Sequence, residues 1–181
     1  PIWTWLIPLI VVIVVVLAIL AVTVWKPKKE EETVRVGVLL PLTGDLARYG
    51  KEEINSLNMF VEEYNKANKY KIRLIIEDSQ SDPKVAVSAL NALLLEDPHV
   101  ILTLGSSISL AVQPILNEKR IPSITAAVNP KVANGYMIQN FLTAEDITKA
   151  IVSELNERNV KRLGVIYRND DYGRGIVKVV E

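Results

Sequence analysis

The apolar positions of this chain fall into two regimes. Ile2–Trp25 contains no charged residue, and a helix needs about 20 apolar residues to cross a hydrocarbon core of roughly 30 Å. The run Leu9–Val16 is entirely Val, Ile and Leu and would suit a buried strand standing alone; inside so long an apolar segment a membrane-spanning helix is expected instead. Trp3 and Trp5 at one end and Trp25 at the other sit where indole rings favour the headgroup layer. Pro8 falls in the first two turns, where lost helical hydrogen bonds matter least. From Val34 onward the pattern changes, and short Val- and Ile-rich runs alternate with stretches of helical spacing.

Val34–Pro41 is the first apolar run, ending in Pro-Leu-Thr-Gly. Tyr49–Asn68 places Ile54, Leu57, Val61 and Tyr64 on one helical face, and Tyr70–Glu77 is an Ile-rich strand. Asp82-Pro83 reads as a helix start, Asp as N-cap and Pro at the first helical position, with Val87, Leu90 and Leu94 following at helical spacing. The sequence then predicts a strand at Val100–Leu104, a helix at Ser107–Lys119 and a strand at Pro122–Ala127. After Asn134-Gly135 come Tyr136–Asn140, a helix from Ala144 to about Arg158, a strand at Arg162–Tyr167 and a last helix from near Tyr172. Strands separated by helices of this length imply an α/β fold, a parallel sheet with helices on both faces. Ligands in such sheets bind beyond the carboxyl ends of the strands, which singles out Thr43–Tyr49, Gly105–Ser109, Ala126–Pro130 and Asn169–Gly173.

Composition adjusts this picture at a few points. The 181 residues carry 21 basic and 21 acidic side chains; with no basic excess, nucleic acid is not an expected partner. The N-terminal span is longer than the roughly 7–15-residue apolar core of a cleaved signal. Ala21-Val22-Thr23 makes a poor cleavage site, and no cysteine is present to carry lipid. An uncleaved anchor over 1–25, followed by a charged linker over 26–33, is therefore expected. Lys26, Lys28 and Lys29 favour a cytoplasmic location for the region after the span, whereas the adjoining Glu30–Glu32 count little; charge alone leaves the orientation open.

Familiar catalytic patterns do not occur. The first strand-to-helix turn, Pro41-Leu42-Thr43-Gly44-Asp45, is not G-x-G-x-x-G, and neither a phosphate loop nor G-x-S-x-G is present. His99 is the only histidine and has no cysteine to join it, so a usual zinc site is not expected; after Asp97-Pro98 it reads as a surface turn residue. Glu77-Asp78 and Asp170-Asp171 are adjacent carboxylates suited to loop ends and helix caps. The chain does not read as an enzyme, and no cofactor or metal is implied.

The stretch Val36-Gly37-Val38-Leu39-Leu40-Pro41-Leu42-Thr43-Gly44 with Tyr49-Gly50 resembles the opening of type I periplasmic binding proteins of the Leu/Ile/Val-binding kind. Glu77-Asp78 with Asp82-Pro83, Ser106-Ser107, Ile121-Pro122, Asn129-Pro130 and Asp170-Asp171-Tyr172-Gly173-Arg174-Gly175 continue the resemblance in order, from Val34 to Glu181. It implies two similar α/β lobes closing over a small solute, often an amino acid, with delivery to the membrane subunits of an ABC permease. Receptor sensor domains with the same cleft are the alternative. On this reading 34–143 is the first lobe, incomplete, and 144–181 the start of the second. The soluble part is extracytoplasmic and held at the membrane by the N-terminal helix.

The resemblance also implies a site. Ser106 and Ser107 would hold a carboxylate or amide at a helix N-terminus, where free amides and the helix dipole favour an anion; the alternative for either is a simple N-cap. Tyr49 would contact the solute from the first lobe, or else staple its own helix, and Tyr172 would close from the second. Asp171 either faces the cleft or begins the final helix. Ala126, Ala127 and Asn129 complete the expected contacts. There are two departures from the family pattern. Leu102-Thr103 stands where Gly-Pro is usual. The loop after Ala126-Ala127 looks one residue short, with Val128-Asn129 in place of a Thr that commonly binds an amino group. Either Asn129 takes over that contact or the ligand differs.

Overall fold

The computed structural model describes Thr33–Val180; the apolar span expected over 1–25, and the linker up to residue 32, lie outside the described residues. Among the described residues no helix is long and apolar enough to cross a membrane.

The elements alternate as the patterning predicts. In chain order they are β1 (Thr33–Leu40), α1 (Ala47–Ala67), β2 (Lys71–Asp78), α2 (Pro83–Leu95), β3 (Val100–Leu104), α3 (Ser106–Lys119) and β4 (Ser123–Ala126). A 3-10 turn (Pro130–Val132), β5 (Met137–Gln139), α4 (Ala144–Glu157) and α5 (Asp171–Val180) complete the series. All described strand pairs are parallel and the sheet order is β2-β1-β3-β4-β5.

The apolar faces fix the layers. On β1, Val36, Val38 and Leu40 face α1, packing with Ile54, Leu57, Ile72, Leu74, Leu102 and Leu104. Leu39 faces the other way, into a core with Ala86, Leu90 and Leu93 of α2, Ile108, Val112 and Leu116 of α3, and Ile101 of β3. Val36–Leu40 is thus buried on both faces, the condition under which parallel strands read as continuous apolar runs. Steps from β1 to β2 and from β2 to β3 run in opposite directions along the sheet, and right-handed crossovers then require α1 and α2 on opposite faces. The α1 side is not covered everywhere: Ile124 of β4 and Ile138 of β5 are 36% and 62% exposed.

Helix ends obey local chemistry. Asp82 caps α2 by accepting from the amides of Lys84 and Val85, and Pro83 at the first position loses no intrahelical bond. Thr143 and Asp146 form a reciprocal capping box on α4. Among the described residues the expected element that does not form is the strand at Arg162–Tyr167, which is irregular, with Leu163, Val165, Ile166 and Tyr167 exposed. A strand is stabilised by a ladder and by packing on a sheet, and no described strand pairs with this segment.

Leu90, fully buried between the sheet and its neighbours, reports on this core. Leu90→Ala is expected to destabilise the fold by about 2–5 kcal/mol, the lost transfer energy plus the cavity. Equilibrium urea unfolding measures it, and a change below about 1 kcal/mol would mean that the layer is not packed as described.

Candidate functional site

Strand order reverses between β1 and β3: β1 leads outward to β2, whereas β3 leads the opposite way to β4. The loops leaving the carboxyl ends of two such strands diverge, and the crevice between them is where open α/β sheets bind ligands. Here those loops are Pro41–Leu46, leading into Tyr49, and Gly105, leading into Ser106-Ser107.

The first loop is held by side chains from the end of β2. Asp78 Oδ1 accepts from the amides of Leu42 (2.8 Å), Thr43 (3.2 Å) and Gln80 (2.8 Å), and Oδ2 accepts from the Thr43 hydroxyl at 2.6 Å. Ser81 Oγ donates to the Thr43 carbonyl and accepts from the Leu46 amide. Gly44 has φ +80°, and a Cβ there would meet the Gln80 carbonyl oxygen at 2.4 Å. A Cβ on Gly50 would stand 2.2 Å from the Pro41 carbonyl oxygen. Gly44 and Gly50 are therefore required by backbone geometry, and between them they set Tyr49 in the first turn of α1, 57% exposed. Partial burial pushes the Asp78 carboxyl up, but the Thr43 hydroxyl and the amides of Gln80, Thr43 and Leu42 outweigh it and hold it below its ordinary value.

The second loop starts α3. Its N-cap, Gly105, supplies no side-chain cap, so the first-turn amides of α3 stay open to a partner. The start of α3 is fixed instead by a buried chain of hydroxyls: Thr103 Oγ1 and Ser109 Oγ are 2.8 Å apart, and Ser109 Oγ and Thr125 Oγ1 2.6 Å. Thr103, one of the two residues departing from the family's Gly-Pro, is buried in this bridge between β3, α3 and β4. Gln113 adds a second brace, donating to the carbonyls of Lys131 and Val132 beyond β4.

Several sequence-predicted residues converge at this edge. Ser106, 2% exposed, accepts from the Asn129 amide at 3.3 Å. Ser107 accepts from the Asp171 amide at 3.2 Å, and Asn129 Nδ2 donates to the Asp171 carbonyl at 3.4 Å. Asp171 thus both begins α5 and meets Ser107 and Asn129, next to Tyr172, 48% exposed. Ala126 ends β4 with its carbonyl accepting from Gly105, and Ala127 packs into the core beside Ile108 and Val132. Tyr49 and Tyr172 each occupy the first turn of a different helix.

Sequence reasoning missed the clamp made by Asp78 and Ser81. Its signal was present, a carboxylate and a hydroxyl just past a strand end beside a Thr-Gly turn, but adjacency of β1 and β2 was needed to read it. Among the described residues no cluster of His, Cys, Asp and Glu could hold a metal ion.

A parallel α/β lobe with its open site at a strand-order reversal defines a class of ligand-binding folds, and likeness to known proteins narrows it. The periplasmic binding protein family matches residues 33–181, and the chain belongs to that family, in its type I form. It is 27% identical to the Leu/Ile/Val-binding protein of Escherichia coli K12, over 83% of this chain and 43% of that protein. It superposes on a leucine-binding protein of Thermotoga maritima with a TM-score of 0.74 and 25% identity, over 81% of this chain and 44% of the other. A Rhodopseudomonas palustris ABC-transporter solute-binding protein, solved with 3,4-dihydroxybenzoic acid, shares the fold with a TM-score of 0.75 and 20% identity, over 82% and 43%. The chain spans about two-fifths of the length of the curated relatives it matches.

Two substitutions test the architecture of the site. Ser109→Ala removes the hydroxyl shared by Thr103 and Thr125 and is expected to cost about 1–3 kcal/mol; denaturant melts showing only a few tenths would mean the two threonines re-pair. Asp78 has a folded pKa below its unfolded one, so its contribution is complete above about pH 4 and is lost as pH falls through the folded value. Asp78→Asn should flatten the loss of melting temperature as pH falls below about 4. Asp146, held low by the Thr143 hydroxyl and amide, retains its own share. An unchanged acid slope would contradict the clamp.

Proposed function

We propose that this chain forms the first lobe and the start of the second of an extracytoplasmic solute-binding protein. It captures a small solute, an amino acid or related compound, between the lobes and passes it to the membrane subunits of an ABC importer. The observation that carries this reading is the meeting of Ser106, Ser107, Asn129 and Asp171 at the strand-order reversal. Family membership supports it, as does the description of relatives as Leu/Ile/Val-binding and amino acid binding proteins. The division near Thr143 is supported by how α4 and α5 attach: they pack on one another, and α4 begins where the Ala144 amide donates to the Val128 carbonyl at 2.7 Å. The uncovered Ile124–Ile138 face is what a further element of a complete first lobe would bury. Ser106 and Ser107 take the anionic or amide end of the solute, Tyr49 and Tyr172 its body, and Ala126, Ala127 and Asn129 supply the adjoining loop, with Asn129 against Ser106. The apolar segment 1–25 is the tether.

The full-length protein is tested by a thermal-shift screen against amino acids, amides and small carboxylates, because a ligand that binds only the native state raises its melting temperature. A shift with one class that is lost in Ser107→Ala and Tyr172→Ala supports the cleft. No shift with any class, from well-folded protein, removes the reading. Two-lobe closure further requires the 181-residue chain alone to bind weakly; dissociation constants near or below about 1 μM for it would overturn closure.

A further inference from the structure

The turn that leads into β5 sets a reactive side chain beside an unshielded backbone nitrogen. Asn134-Gly135 is the one Asn-Gly pair of the chain, and both residues are exposed. The Asn134 carbonyl accepts from the Met137 amide at 3.2 Å, and Gly135 has φ +63°, the sign of φ that the first central position of a type II′ turn demands. A Cβ on Gly135 would also meet the Asn117 side chain at 2.4 Å, so glycine is required there. Among the described residues nothing hydrogen-bonds the Asn134 side chain or the Gly135 amide. The attacking nitrogen and the side-chain carbon are thus adjacent in sequence, with neither a hydrogen bond nor a Cβ to hinder them.

We propose that Asn134 is a site of spontaneous covalent modification, whose isoaspartate product loosens β5 from the sheet edge. The Gly135 nitrogen gives its proton to water and bonds to Asn134 Cγ. The Cγ–Nδ2 bond breaks, and Nδ2 takes a proton from water and leaves as ammonia. Water then opens the cyclic imide. Cleavage between the nitrogen and Cγ gives aspartate; cleavage between the nitrogen and the former backbone carbonyl carbon gives isoaspartate. No oxidant or cofactor enters. Elsewhere in the chain the reaction is hindered: Asn129 precedes Pro130, which has no N–H to lose, and every other asparagine precedes a residue with a Cβ.

In isoaspartate the main chain runs through Cβ and Cγ and is one bond longer, and the former backbone carbonyl becomes a charged carboxylate. The hydrogen bonds that start β5 depend on the original path. The Met137 amide donates to that carbonyl, and the Tyr136 amide donates to Asn117 Oδ1 at 2.7 Å. The Tyr136 carbonyl in turn accepts from the Ser123 amide at 2.8 Å, tying the turn to β4. Asn117 leaves no room at Gly135 for the extra bond. β5 has only three residues and lies at the edge of the described sheet, so few other bonds resist its release.

The test keeps full-length protein folded in warm, mildly alkaline buffer and follows it by peptide-mapping mass spectrometry, beside a free peptide of residues 133–138. Asn134 is expected to convert in the folded protein within about tenfold of its rate in the peptide, because an exposed turn opens at little cost. Conversion more than about tenfold slower overturns the site. In the isoaspartate fraction, hydrogen exchange at the amides of Ser123, Tyr136 and Met137 should quicken by at least about tenfold. Unchanged exchange in that fraction overturns the loosening. Asn134→Gln, whose side chain is one carbon too long for the same ring, should age without either change; quickened exchange in aged Asn134→Gln overturns the assignment to Asn134. Asn134→Asp adds the charge without lengthening the chain and should exchange like the fresh protein. If it matches the isoaspartate fraction instead, the rerouted main chain is not the cause and that part of the proposal falls.

Discussion

Burial of β1 on both faces is the constraint on which the rest of the molecule depends. Val36–Leu40 excludes water from both sides of the sheet centre, so helices must cover both faces, and right-handed connections then dictate which helix goes where. The strand order that results reverses at β1 and β3. The reversal opens the crevice flanked by the turns at Thr43–Tyr49 and Gly105–Ser107. The crevice forms here because two layers had to be packed on one strand.

Polar chemistry at the carboxyl edge then fixes the two turns that flank the crevice. Asp78 and Ser81 commit their acceptors and donors to the first turn, and Thr103, Ser109 and Thr125 commit theirs to holding the second. Buried polar groups are stabilising only when satisfied, and the named side chains of both networks find partners in one another or in the backbone. Among the described residues the buried side-chain atom left without a partner is Ser79 Oγ, beside the first network, while the first turn of α3 has no side-chain cap.

The departures from the family pattern become intelligible in the same terms. Where Gly-Pro is usual, Thr103 lies inward and is satisfied by Ser109, so a bulkier and polar residue is accommodated through a partner one turn into α3. Val128 is buried rather than offered to the cleft, and the neighbouring Asn129 is bound up in the 3-10 turn and in Asp171. The loop is braced by a hydrogen bond to each carbonyl from Ala126 to Asn129.

Period and punctuation along the sequence were enough for most of the fold. The 3.6-residue spacing in Ala47–Ala67, the Asp82-Pro83 start and the Val- and Ile-rich runs placed the helices and strands of the sheet within a residue or two, because those signals are local. That the loops carrying Ser106, Ser107 and Asn129 share one edge was legible from the strand ends, whereas the choice of these side chains came only through family resemblance. Three things were decided by tertiary structure alone. Arg162–Tyr167 has a strand's composition but no ladder among the described residues, and a strand cannot satisfy its backbone by itself. Asp78 became a clamp because β2 lies beside β1. Asn129 lost its free amide because the start of α5 lies against it. In each case the local sequence specifies a residue's chemistry, while the partner that uses up or exposes that chemistry comes from a distant part of the chain.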